Sequence, residues 1–185
     1  MNDTNEFSSV PSMAPTQSYI PSSLTVAQDK ALSLTPVFSS LLSAWGSISI
    51  IYMVVSSSQR SSYKRIMLGL SVFDLVSSVT IALQPFLLPS DSQPERVWAI
   101  GNEATCEAMG FFHQLSQGSV WYTGYLSVFF LLTIRFDWCE ETMSKCMEPF
   151  FHLWSIGYPL TTATVGLVLG AYGVLGVGHA CWLTG

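Results

Sequence analysis

The sequence predicts an all-α membrane protein with four transmembrane helices and its N-terminus outside. Three observations lead there. Only 10% of the 185 residues are charged and 49% are hydrophobic, against about 25% charged in soluble domains. The charges cluster, leaving apolar runs at about 36–55, 66–88, 110–134 and 150–174. Each run reaches the ~20 residues that a bilayer-crossing helix needs. Basic residues divide unevenly between the connections, which sets the orientation. The alternative is a set of buried helices in a soluble protein. Four runs free of Lys and Arg, with Asp74 as their one acid, argue against it. The net charge of −5 belongs to the connections. It points to no partner beyond the lipid bilayer, and without an extended basic patch no nucleic-acid partner is expected.

Residues 1–33 are rich in Ser, Thr and Pro and are expected to be a disordered extracellular segment. They have neither the basic start nor the apolar core of a secretory signal peptide, so the first membrane helix is expected to direct targeting. Asn2-Asp3-Thr4 matches a glycosylation sequon, a pattern that is common by chance. Residues 34–185 form the transmembrane domain. Its first connection carries Arg60, Lys64 and Arg65, and its third carries Arg135 and Lys145. The opposite side has only Lys30 and Arg96. This division puts the first and third connections in the cytoplasm, in a multi-pass protein of the plasma membrane.

The same division sorts the cysteines. Cys106 and Cys181 fall outside, where thiols oxidise, and Cys139 and Cys146 fall inside, where they stay reduced. The reading predicts a Cys106–Cys181 disulfide, with two unpaired thiols as the alternative. Cys139 and Cys146 are read as unmodified thiols, with lipidation as the other option. Pro85 and Pro159 lie within spans and predict kinks, which membrane helices tolerate. Gly166-x-x-x-Gly170 signals close helix packing, within the bundle rather than in a dimer.

Asp74 stands within the second run. A charge at that depth faces a bundle interior or a water-filled cavity. Ser47, Ser77, Ser78 and Ser119 are its expected polar neighbours, and packing through hydrogen bonds to serines is one reading of it. In the third run, His113, Gln114 and Gln117 share one helical face, one to three turns below the outer surface. That placement suits a ligand pocket. Interhelical hydrogen bonding suits it equally.

Several motifs carry a resemblance. In "VWAIGNEATCEAMGFF" Trp98, Gly101 and Asn102 precede Cys106, and "LSVFDL" puts Leu70 four residues before Asp74. "WGSISI" holds Gly46-Ser47, and "HACWL" holds Cys181. Together these resemble the first four helices of seven-helix G protein-coupled receptors, of the rhodopsin-like and slime-mould cyclic-AMP-receptor-like kinds. The resemblance runs from about 33 to 183. It departs at "TIRFDW", where Arg135 has no preceding acid, and at Ser47, which stands where the family has Asn. It implies the N-terminal half of a truncated seven-helix bundle, with the Cys106–Cys181 disulfide and a ligand cavity lined by His113, Gln114 and Gln117. It also implies a sodium ion or polar network at Asp74, supported by Ser119 and Ser47.

The expected function follows from that resemblance: transmembrane signalling, in which an extracellular ligand of unknown type shifts the bundle and a heterotrimeric G protein reads the change. The alternative is a self-contained four-span scaffold or adhesion protein without signalling activity. A channel or transporter would want more ionisable groups within the spans or an internal repeat. No cofactor, metal site or enzymatic activity is expected. His113, His152 and His179 lack metal spacing, and no phosphate loop or nucleophile motif occurs.

Overall fold

The computed structural model describes residues 26–58, 61–90, 98–175 and 180–184. The Asn2 sequon, Arg60, Arg96 and His179 lie outside the described residues, as does most of the expected disordered segment. The described chain is mostly helical. Two helices are long and apolar enough to cross a membrane: Lys30–Ser56, with mean hydropathy 1.6, and Ser62–Leu83, with mean hydropathy 2.0.

Helix α1, Val26–Ser56, begins within the stretch expected to be disordered. Residues 26–33 are therefore helical, so the helix begins well ahead of the apolar run. Helix α2, Ser62–Leu83, starts at Ser61, whose hydroxyl caps the Lys64 N–H. It ends five residues short of the predicted boundary at 88. Pro85 has no N–H to continue the ladder, so it stops the helix where a kink was expected. Before it the Gln84 N–H still bonds the Thr80 carbonyl, and beyond it the Phe86 and Leu87 N–H groups both turn back to the Leu83 carbonyl.

The third run is a helix in two parts, α3 (Glu103–Leu115) and α4 (Gly118–Arg135). It begins seven residues before the predicted start at 110. Asn102 makes a reciprocal cap with Thr105: its side chain accepts from the Thr105 N–H, and its own N–H donates to the Thr105 hydroxyl. Cys106 therefore sits in the first turn of the helix rather than above it. Ser116 and Gln117 tighten the path between the two parts with i→i+3 bonds.

A short segment, α5 (Glu140–Thr142), and a π-helical turn at Met143–Met147 lead into α6, Glu148–Val168. Gly170, at φ 60°, ends α6. The Ala171 N–H reaches back to the Gly166 carbonyl and the Gly170 N–H to that of Leu167, the paired bonds of a Schellman stop. Gly170 is thus a terminator rather than half of a packing motif, and the fourth helix ends six residues before the predicted 174. Strands β1 (Tyr172–Val174) and β2 (Cys181–Leu183) then pair antiparallel, Tyr172 opposite Leu183. The chain is mostly helical, as expected, with this short hairpin added, which the apolar run 150–174 concealed.

The helices run alternately up and down. One end of the bundle holds the connections around Lys64 and Lys145; the other holds the disulfide and the hairpin. The α1–α2 pair makes the most extensive interhelical contact. Its buried positions on α1 are Ser33, Ser40 and Ser47, seven residues apart, and on α2 they include Ser71 and Ser78. Small side chains let two backbones approach closely. The large apolar side chains of α1 face outward instead, with Trp45 and Leu42 each 76% exposed. A further core joins Ile66, Tyr122, Phe129, Met143 and Phe151.

Candidate functional site

At the disulfide end, Cys106 and Cys181 are bonded, with Sγ–Sγ 2.04 Å and Cα–Cα 5.3 Å. The bond fastens the hairpin to α3. Tyr172 acts as a wedge beneath it. A Cβ on Gly110 would lie 2.6 Å from the Tyr172 ring, and one on Gly166 would lie 2.8 Å from its hydroxyl. Both glycines are therefore notches for this side chain, whose hydroxyl donates to the Ala163 carbonyl at 3.0 Å. The Gln84 amide donates to the Cys181 carbonyl at 3.2 Å, which ties in α2.

The three residues expected to line a ligand pocket separate here. Gln114 accepts from the Trp182 indole N–H at 2.9 Å and donates to the Thr162 hydroxyl at 3.1 Å. It clamps β2 to α6. His113 lies edge-on to the Trp182 ring, centroids 4.8 Å apart, and its Nδ1 is buried without a hydrogen-bond partner. Gln117 falls in the tight turn between α3 and α4. A cavity of about 820 Å³ does open at this end, but Asn102, Glu103, Glu107 and Tyr172 line it, and His113, Gln114 and Gln117 do not.

Deeper in the bundle, Asp74 of α2 has the Ser119 side chain of α4 as its polar neighbour. The approach depends on Gly118: a Cβ there would meet the Phe73 ring at 2.6 Å. Ser47 is buried in α1. Among the described residues, no group of three His, Cys, Asp or Glu side chains is placed to hold a metal ion.

The opposite end contains a constellation that the sequence did not announce. Arg65 of α2 grips the Glu148 carboxylate with two nitrogens, Nε on Oε1 and Nη2 on Oε2, the latter at 2.7 Å. Nη2 also donates to Ser144 at 2.9 Å. The Glu148 side chain is 9% exposed and that of Arg65 40%. His152, one turn along α6, brings Nε2 to 3.5 Å from Glu148, and its Nδ1 meets the Tyr122 hydroxyl at 2.7 Å. A continuous polar chain thus runs Arg65–Glu148–His152–Tyr122 through α2, α6 and α4. Tyr122 is held by Gly69, where a Cβ would meet its ring at 2.5 Å. Burial pushes the Glu148 carboxyl up, but hydrogen bonds from Arg65 and Ser62 and the Arg65 charge together outweigh burial and hold it below the usual range.

A signal for this latch was present. Arg65 and Glu148 stand just before the predicted spans that begin at 66 and 150, in the two connections that the basic-residue count places on one side. Opposite charges at one level, at the starts of two helices that begin at the same end of the bundle, are natural partners. Cys139 and Cys146 are free and exposed, and the Thr142 hydroxyl, 3.1 Å from the Cys139 sulfur, draws that thiol down.

Comparison with known proteins adds no relative: no family model and no curated protein matches the chain.

Proposed function

We propose that the chain is a signalling membrane protein of the G protein-coupled-receptor type, crossing the plasma membrane four times with its N-terminus outside. In this reading an extracellular ligand acts at the disulfide end and the Arg65–Glu148 latch reports at the cytoplasmic end. The observation that carries the reading is the inverted burial of α1 and α2. Serines fill the seam while Trp45, Leu42 and Tyr52 face outward, Tyr52 72% exposed. In water that arrangement wastes the apolar side chains; in lipid it is the favourable one, because helices there associate through small residues. Four antiparallel helices with Lys64, Arg65 and Lys145 at one end agree with the basic-residue rule.

The receptor reading rests on the resemblance in the motifs around Asp74, Cys106 and Cys181, and the disulfide-fastened hairpin above α3 supports it. In the resembled receptors a sodium ion is held at the Asp that Asp74 matches. The Asp74 carboxylate and the Ser119 hydroxyl, with Ser47, would supply oxygens for such an ion or form a polar network without one. Arg135 lacks the acidic neighbour of that family. The pair of Arg65 with the buried Glu148 is an ionic tie between helices at the same end, and a heterotrimeric G protein is the partner that would read its opening.

Nucleotide exchange on co-expressed G proteins, measured in isolated membranes, tests the reading. Glu148→Gln is expected to raise exchange above the wild-type level by loosening the latch. An antibody to an N-terminal epitope is expected to label intact cells. A chain that labels in this way yet never alters exchange, as wild type or variant, overturns signalling and leaves the four-span scaffold. Intact cells that stay unlabelled overturn the orientation.

A further inference from the structure

A second cavity, of about 500 Å³, opens where α1 ends and α2 begins. Its lining includes Lys64 and Arg65, the hydroxyl of Ser57, and the apolar side chains of Val54, Val55 and Leu68. The Lys64 ammonium donates to the Ser57 hydroxyl at 2.5 Å, which holds the cation against the chain that leaves α1. Among the described residues of the lining none is acidic, and Glu148 reaches Arg65 from α6. The apolar wall is continuous with the outward face of α1, where Met53 is 61% and Val55 68% exposed.

We propose that this cavity binds the phosphorylated headgroup of an acidic phospholipid. Lys64 meets the phosphate with its compact ammonium, while Arg65, whose Nε and Nη2 stay on Glu148, stands beside it in the lining. Ser57 adds a hydroxyl, and Val54, Val55 and Leu68 receive the first carbons of the lipid. The apolar half of the lining favours a lipid over a free phosphate ester, which has nothing to place there. Basic side chains beside a membrane attract anionic lipid in this way. The inference rests on the membrane reading above, since the cavity must lie at the lipid surface.

The test titrates the purified full chain in detergent with phosphatidylinositol 4-phosphate or with phosphatidylcholine and counts retained lipids by native mass spectrometry. The acidic lipid is expected to bind the wild type about fivefold more tightly than Lys64→Gln, one basic residue's share at a membrane surface. Phosphatidylcholine retention should not change with the substitution. Leu68→Trp fills the cavity without altering charge and should lose the acidic lipid as well; helix content by circular dichroism checks that each variant is folded. Equal retention of the two lipids by the wild type overturns the proposal, as do folded variants that both bind like wild type. Soluble inositol bisphosphate binding as tightly as the lipid overturns the lipid as the source of the phosphate. Flotation with pure phosphatidylcholine vesicles examines the membrane reading alone. A chain that floats but ignores the acidic lipid keeps that reading and loses this one; a chain that does not float loses both.

Discussion

The two ends of the bundle are joined by different chemistry. At one end a covalent bond, a tyrosine wedge and neutral hydrogen bonds lock the hairpin onto α3 and α6. At the other a carboxylate, a guanidinium, an imidazole and a phenol connect α2, α4 and α6. The first set does not respond to local charge. The second depends on charge throughout, and one proton or one displaced side chain can undo it.

The largest effect that would sharpen this comparison is at the fixed end. The Cys106–Cys181 bond closes a loop spanning 75 positions, and its removal is expected to cost about 2–5 kcal/mol. Cys106→Ser should therefore lower the thermal midpoint in detergent more than any single change at the other end. The latch comes next, and its two partners are not equivalent. Arg65→Met strands the buried Glu148 carboxylate, with an expected loss of about 3 kcal/mol. Glu148→Gln leaves an arginine that is 40% exposed and can turn to water, so its loss should be smaller, about 1 kcal/mol. Denaturation of the two variants side by side checks the order. Equal losses would mean that Glu148 is as well solvated as Arg65, and the latch would then be a surface pair.

Acid should separate the ends in the same direction. The folded Glu148 carboxyl is held below its unfolded range by Arg65, despite its burial. Its contribution to stability is therefore complete above the ordinary carboxylate range and is lost as pH falls through the depressed folded value. In Cys106→Ser the acid-induced fall in thermal midpoint should persist unchanged, while in Glu148→Gln it should flatten. An acid dependence that survives Glu148→Gln would assign it to another carboxylate.

How far each end was legible in the sequence follows the same division. The disulfide was readable because compartment alone sorts four cysteines into two pairs. The hairpin was not, because β1 lies within an apolar run whose end only Gly170 marks, and an isolated glycine in a membrane-like run reads as packing as readily as termination. Hydropathy set the existence of the helices but not their bounds. Asn102, Pro85 and Gly170 decide those bounds through single hydrogen bonds that a window average does not register. His113 and Gln114 meet Trp182 and Thr162, and Gln117 falls in the turn that ends α3, so the face their spacing implies is broken there. The partner came from a hairpin unseen in the sequence. Arg65 and Glu148 were counted as loop charges, because a charge at the edge of a span looks the same whether it meets water or a partner.

The smallest effects test whether each end is one unit or several. Gln114→Leu leaves the Trp182 indole N–H and the Thr162 hydroxyl without their partner, at about 1 kcal/mol. Tyr122→Phe removes one bond, to His152, and interhelical hydrogen bonds in membranes average about 0.6 kcal/mol. The informative quantity is how each change combines with its neighbour. If the chain from Arg65 to Tyr122 acts as one network, Tyr122→Phe in an Arg65→Met background should cost less than it does alone, because His152 has already lost an oriented Glu148. Gln114→Leu should be additive with Arg65→Met, since the two sites share no partner. Additivity for both pairs would reduce the latch to a lone ion pair with a separate tyrosine–histidine contact, and the contrast between the ends would then rest on Arg65 and Glu148 alone.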